Sequence, residues 1–263
     1  MSPDLLARFA AKFALTVVLS AGLIACASTR QQTSGTADIS DPLENVNRAV
    51  FSFNEAADRY VVEPAAKAYR TVLPQEARNG IRNFLRNLRS PVIVANQLLQ
   101  GDFRGALNAT ERFVINTLAG AGGVIDVAGE HGWQFEDEDF GQTLAVWGLD
   151  HGPYLVLPLF GPTSLRDTAG YVVDVFVDPV GLYLYNNDLE ELAYLRFASS
   201  ALDSRSRVIE AIEDLRRNSV DYYATVRSLY GQRRASSVAD QSATADIPDY
   251  ADQDEPLRLP FPR

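Results

Sequence analysis

The sequence predicts an all-α protein built around a single folded domain. Three observations carry that expectation. Apolar residues recur at steps of three and four through most of the chain between Asp41 and Gly231. Cap-and-proline signals stand where those periodic runs begin. No stretch alternates between apolar and polar residues for long enough to argue a sheet.

The N-terminus is a targeting segment rather than part of that domain. Arg8 and Lys12 supply positive charge, and Phe13 to Ala25 form an uncharged, mostly apolar run. The run is too short to cross a bilayer, which needs about 20 residues, and it ends in small residues; residues 1–25 therefore read as a secretory signal peptide. Leu23-Ile24-Ala25-Cys26 closes the run and resembles the lipobox of bacterial lipoproteins, in which cleavage before the cysteine leaves its sulfur to carry a diacylglycerol. Cys26 is the sole cysteine, so no internal disulfide can form and stability must come from packing. Several acyl chains anchor stably where one binds marginally. Ala27, where an Asp would retain such a lipoprotein, implies sorting to the outer membrane. Residues 26–40 are small, polar and aperiodic, which predicts a flexible tether. Residues 232–263, rich in Ala, Ser, Asp and Gln, read as a disordered acidic tail.

Within the domain, residues 41–231, Asp41-Pro42-Leu43-Glu44 opens the first helix, and Leu43, Val46, Val50, Phe53, Ala57 and Tyr60 form its apolar stripe. Glu63-Pro64 marks its end. Phe53 lies on the stripe and should be held in the core, whereas Phe51 and Asn54 point to either side and need another reason. A short helix covers Ala65 to Val72, and a third runs from about Pro74 to Leu88, with Ser90-Pro91 starting another. Phe103, Ala106, Leu107, Thr110, Val114 and Leu118 repeat the helical spacing. The last helical stretch opens at Asp188-Leu189-Glu190-Glu191 and reaches Gly231, a natural C-cap. Tyr171 to Asp178, YVVDVFVD, is the one β-branched run that could form a strand.

Two intervening segments are unusual because loops are normally polar. Leu118 to Gly132 mixes five glycines with Val124, Ile125 and Val127. Tyr154 to Phe160, YLVLPLF, has no charge; it is too short for a membrane-spanning helix, and Pro158 lacks the N–H that a central strand would use in its ladder. Tyr154, Leu155, Leu157, Pro158 and Phe160 are candidates for an apolar lip that meets lipid; a buried helix-to-helix connection is the other reading.

Charge narrows the partners. A formal net charge of −10 argues against nucleic acid and against general attraction to an anionic surface. Arg78, Arg82, Arg86 and Arg89 nevertheless share one helix face beside the apolar stripe of Ile81, Phe84, Leu85 and Leu88. Arginine can hold phosphate through paired hydrogen bonds, which makes the four candidate contacts for a lipid headgroup. A solvated face is the alternative. Lys12 and Lys67 are the only lysines among 24 basic residues, so the choice of arginine is general to the chain.

No reaction is legible. His131 and His151 precede glycines in loops, without partners at the spacing of a helical zinc site, and Ser164 lacks the glycines of a nucleophile elbow. Glu136 to Asp139 lacks the alternating ligands of a calcium loop and reads as a solvated helix start. Neither an enzyme nor a cofactor or metal centre is expected.

Four stretches together, DPLENVNRAVFSFNEAAD, ARNGIRNFLRNL, ERFVINTLAGAGGVIDVA and FGQTLAVWGLDHGPYLVLPLFGPTSLRD, resemble the MlaA family, also called VacJ. The resemblance spans about residues 41–231 in the expected order behind a lipobox. It implies an outer-membrane lipoprotein that removes mislocalised phospholipids from the outer leaflet and passes them to a periplasmic carrier protein. It also implies an all-helical ring around a polar channel in the inner leaflet, beside a trimeric porin. On that picture the first helix walls the channel, and Phe51, Phe53 and Asn54 are candidate gate residues. A structural lipoprotein that tethers partners without moving lipid is the alternative from the residues alone.

Overall fold

The structure, a computed structural model, describes residues 39–239. The signal peptide, Cys26, residues 27–38 of the tether and the tail from 240 lie outside the described residues. Among the described residues the fold is all-α apart from one small hairpin.

Helix α1, Glu44–Ala57, does not stop at the predicted proline. It passes through a π-helical turn, Asp58–Val62, into α2, Glu63–Val72. The Glu63 amide bonds to Asp58 O, five residues back. The widened turn fits Pro64, which has no N–H to give, near the start of α2, where none is needed. Pro42 lies in a turn before α1 rather than at its first position. Asp41 caps nothing; its carboxylate accepts from Asn47 Nδ2 at 2.7 Å and from the Tyr223 hydroxyl.

Helix α3, Gln75–Gln100, likewise runs through Pro91 instead of restarting there. Side chains buried on both sides of the proline, Asn87, Ser90, Val92 and Ile93, hold the helix against its neighbours despite the lost hydrogen bond. Gly101, at φ 81°, takes the left-handed conformation that reverses the chain. Asp102 then caps α4, Phe103–Leu118, by accepting from the amides of Arg104 and Gly105. The glycine loop after α4 folds back on α3: Asn87 Nδ2 reaches Thr117 Oγ1 and Gly122 O, and Asn83 Nδ2 reaches Val124 O. Short α5, Val127–Glu130, and α6, Phe140–Val146, follow.

The apolar stretch at Tyr154 is a hairpin. Strands β1, Tyr154–Leu157, and β2, Gly161–Ser164, pair antiparallel with Tyr154 opposite Ser164 and Leu157 opposite Gly161. Pro158 stands in the turn, where no ladder donor is required. No alternation betrayed the strand because both of its faces are apolar.

The β-branched run at Tyr171, the one segment that could have formed a strand, lies in helix α7, Leu165–Val177, capped by Ser164. The β-branched run yields to tertiary context: Gly170 meets α6 so closely that a Cβ would lie 2.2 Å from Gly141 N. Helices α8, Pro179–Asn186, α9, Glu190–Arg207, α10, Ile209–Asn218, and α11, Tyr222–Val238, complete the domain. The last continues past the expected cap at Gly231 because Arg234 is anchored to Asp139 at 2.7 Å and Asp167 at 2.8 Å.

Candidate functional site

The polarity of the domain is inside out. Among the described residues, buried side chains comprise 15 polar or charged against 11 apolar ones, and four of those 11 are alanines. The predicted apolar stripe of α1 faces outward: Leu43, Val46, Phe53 and Tyr60 are exposed, Phe53 by 56 %. The buried side of that helix carries Asn47, the reverse of the expectation for Phe53. Helix α4 repeats the pattern, with Phe103, Leu107, Val114 and Leu118 exposed while Arg112 and Asn116 are buried. In α3, Phe84, Leu98 and Leu99 face out while Asn87, Asn96 and Gln97 face in. Val124 and Ile125 of the glycine loop and Val175, Phe176 and Val177 of α7 are exposed too.

The inward face of α1 grips the hairpin through two asparagines. Asn47 donates to Tyr154 O and accepts from Val156 N, both at 3.0 Å. Asn54 donates to Leu157 O at 2.9 Å and accepts from Leu159 N at 2.7 Å. Their separation of seven residues is about two helical turns, so both amides face the free edge of β1 and stand in for a third strand. The sequence reading named Asn54 but missed Asn47; the asparagine pair at heptad spacing was the available signal.

The hairpin divides the two readings of YLVLPLF between its ends. Tyr154 (0 % exposed) and Val156 belong to the apolar cluster with Ile39 and Tyr223, against which Val50, Phe51 and Tyr230 pack. Phe51 stacks edge-on against Tyr222 and Tyr223, with ring centres 5.3 and 5.4 Å away, which supplies the reason its position lacked in the sequence. Leu155 and Leu157 are half-buried. Pro158, Leu159 and Phe160 project at the tip, where Phe160 meets Tyr171 and Phe197. Leu159 sits at φ 65°, a conformation unfavourable for a branched side chain and held by the Asn54 bond to its amide. Burial pushes the Tyr154 phenol well above its ordinary range, and its hydroxyl makes no hydrogen bond.

The arginine face of α3 is directed inward and splits. Arg78 is buried; Arg82 bonds Asn79 Oδ1 and approaches Asp203 of α9 at 3.5 Å. Arg86 lies over the Phe135 ring at 4.4 Å, and burial together with Arg207 and Arg82 lowers its pKa. Arg89 turns aside to Asp137 at 3.2 Å, which raises its pKa. Asp203 and Arg207 were invisible in the sequence because α9 meets α3 only in the fold.

Further ion pairs fasten the frame. Arg205 and Arg216 grip Asp58 in the π-turn at 2.7 and 2.6 Å and also bind Glu63. Burial opposes the Asp58 carboxylate, but these bonds outweigh it and hold its pKa below the ordinary value. Lys67 and Arg216 lower Glu63 to about 2. The acidic run before α6 is not a solvated start: Glu138 is buried and accepts from Gln100 and Gln142, while Asp139 caps α6. His131 contacts the Val127 carbonyl of α5, and His151 the carbonyl of its neighbour Gly152. Among the described residues, no group of three His, Cys, Asp or Glu side chains could hold a metal ion.

The family model for the MlaA lipoprotein matches residues 39–237. The intermembrane phospholipid transport system lipoprotein MlaA of Escherichia coli (strain K12) is 37 % identical over 216 residues, covering 80 % of this chain and 82 % of that protein. The Haemophilus influenzae protein of the same name is 34 % identical over 233 residues, covering 87 % and 91 %. A solved chain from work on the structural basis for maintenance of bacterial outer membrane lipid asymmetry superposes with a TM-score of 0.68 at 37 % identity. That alignment covers 76 % of this chain and 99 % of the solved one. This chain belongs to the MlaA lipoprotein family.

Proposed function

We propose that this protein is a component of intermembrane phospholipid transport that withdraws mislocalised phospholipids from the outer leaflet of the outer membrane and hands them to a periplasmic carrier. One observation carries the reading, namely an exterior rich in exposed aromatic and aliphatic side chains around a polar interior. In water such a surface marks an interaction site, since soluble monomers rarely expose apolar patches above a few hundred Å². Against acyl chains it is the stable arrangement. Among the described residues, no helix is long and apolar enough to cross a membrane, which suits a body seated in one leaflet. The polar side chains within would form a channel for headgroups, gated by the tie between Asn54 and the hairpin tip; Phe51, packed against Tyr222 and Tyr223, would brace that gate, and Phe53, on the outer face, would meet acyl chains instead. The tip residues Pro158, Leu159 and Phe160 would serve as its lip and a trimeric porin as its neighbour. Deleting the protein and measuring phospholipid exposed on the cell surface tests the reading: exposure should rise, and an unchanged surface would sink it.

The attachment is assigned to lipidated Cys26. Cys26→Ser should yield uncleaved or soluble periplasmic protein, because only the amphipathic exterior then remains to bind the membrane. Fractionation that recovers the variant correctly processed and wholly in the outer membrane would refute the assignment.

A further inference from the structure

Arg78, Arg82 and Arg86 lie four residues apart and so form one row on α3. Arg78 is 8 % exposed, its Nε has no hydrogen-bond partner, and no carboxylate pairs with it among the described residues. Arg86 likewise pairs with no carboxylate; its guanidinium rests on the Phe135 ring. The end of α9 meets the same row, with Arg82 Nε 3.5 Å and Arg207 Nε 3.3 Å from one oxygen of Asp203. The Tyr69 hydroxyl lies 3.5 Å from the other Asp203 oxygen and within the electrostatic reach of Arg78 and Arg82, and Arg86 lies within that of Arg82 and Arg207, so the four arginines are neighbours in one region. Asp203 is buried between its two guanidiniums and offers no free face to an incoming cation.

Guanidinium groups removed from water without an anion are costly, and a phosphate diester supplies the acceptors they lack. We infer that Arg78, Arg82, Arg86 and Arg207 form a receiving site for a phospholipid phosphate that prefers headgroups of net negative charge, such as phosphatidylglycerol, over zwitterionic phosphatidylethanolamine. The inference rests on the lipid-transport reading above. The carboxylates nearest Arg86, Asp126 and Asp137, are already held by Arg112 and Arg89, so an ethanolamine ammonium entering with its phosphate would face Arg78 and Arg86 and have to compete with guanidiniums for a carboxylate.

Short-chain soluble phosphatidylglycerol, short-chain phosphatidylethanolamine and inorganic phosphate, each titrated calorimetrically into the full-length protein in non-ionic detergent, test this. Phosphatidylglycerol should bind about tenfold more tightly than phosphatidylethanolamine, the scale of one charge-assisted contact. The Arg78→Gln/Arg86→Gln pair should lose that preference with little change in melting temperature, since neither side chain holds an ion pair. Arg207→Gln, which leaves α3 untouched, should weaken phosphatidylglycerol in the same direction and decides the matter if the double variant does not fold. Equal binding of the two lipids by the wild type, or undiminished phosphatidylglycerol binding by a folded variant, overturns the inference. Inorganic phosphate binding as tightly as phosphatidylglycerol would assign the spot to a free anion and overturn it also. Any of these results leaves the transport reading standing as long as deletion of the protein still exposes surface phospholipid.

Discussion

Removing Phe53 and Asn54 together should leave the protein in the outer membrane yet expose more phospholipid on the cell surface, as a channel that no longer closes would. The deletion takes away the side chain that holds Leu157 O and Leu159 N, so the strained hairpin tip loses its tie to α1. It also turns α1 by about 200° relative to the π-turn and α2, at about 100° per residue. Asn47 and the Tyr154 cluster precede the break or lie away from it, and they should keep the body of the domain folded. Asn54→Ala separates the two effects, because it releases the tip without rotating the helix; it should raise surface phospholipid in the same direction by less. Protein abundance and surface phospholipid are measured together. A stable deletion variant with normal asymmetry would defeat the gate proposal, and Asn54→Ala supplies the decision if the deletion variant is degraded.

Tyr154→Ala should be the most destabilising single substitution in the hairpin, by about 3–5 kcal/mol, the range for removing a large aromatic side chain from a packed site. Tyr154 is wholly buried, with Tyr223 and Tyr230 ring centres 6.1 and 5.8 Å away, and it joins α1 and α11 to β1. Tyr154→Phe should be neutral or slightly stabilising, since the hydroxyl it removes is buried without a partner. Leu159→Ala, at the exposed tip, should shift stability by no more than about 0.5 kcal/mol. Chemical unfolding of the detergent-solubilised protein measures all three. A loss below about 1 kcal/mol for Tyr154→Ala would show that the cluster does not hold the hairpin.

Helical segments were legible because period and caps are local properties of the chain. The run from Glu44 to Val72 and the helix through Pro91 were longer than expected, since prolines that end isolated helices are tolerated where a π-turn or packed flanks compensate. The hairpin was hidden by a strand apolar on both faces, and YVVDVFVD was misleading because strand propensity is weak against a Gly170–Gly141 contact. Of the candidate site, Asn54 and the arginine row were visible. Their partners could not be: Leu157 and Leu159 lie 103 and 105 residues from Asn54, and Asp203 and Arg207 sit on another helix.

By itself the sequence determined the helical class and the family, because spacing and motif are written along the chain. Only the tertiary structure decided which face of each helix turns inward. A hydrophobic stripe has the same period whether it meets a protein core or acyl chains. The direction of each stripe was fixed by where Asn47, Asn54, Arg78, Arg112 and Asn116 could satisfy or enclose their polar groups, and that depends on elements far apart in sequence.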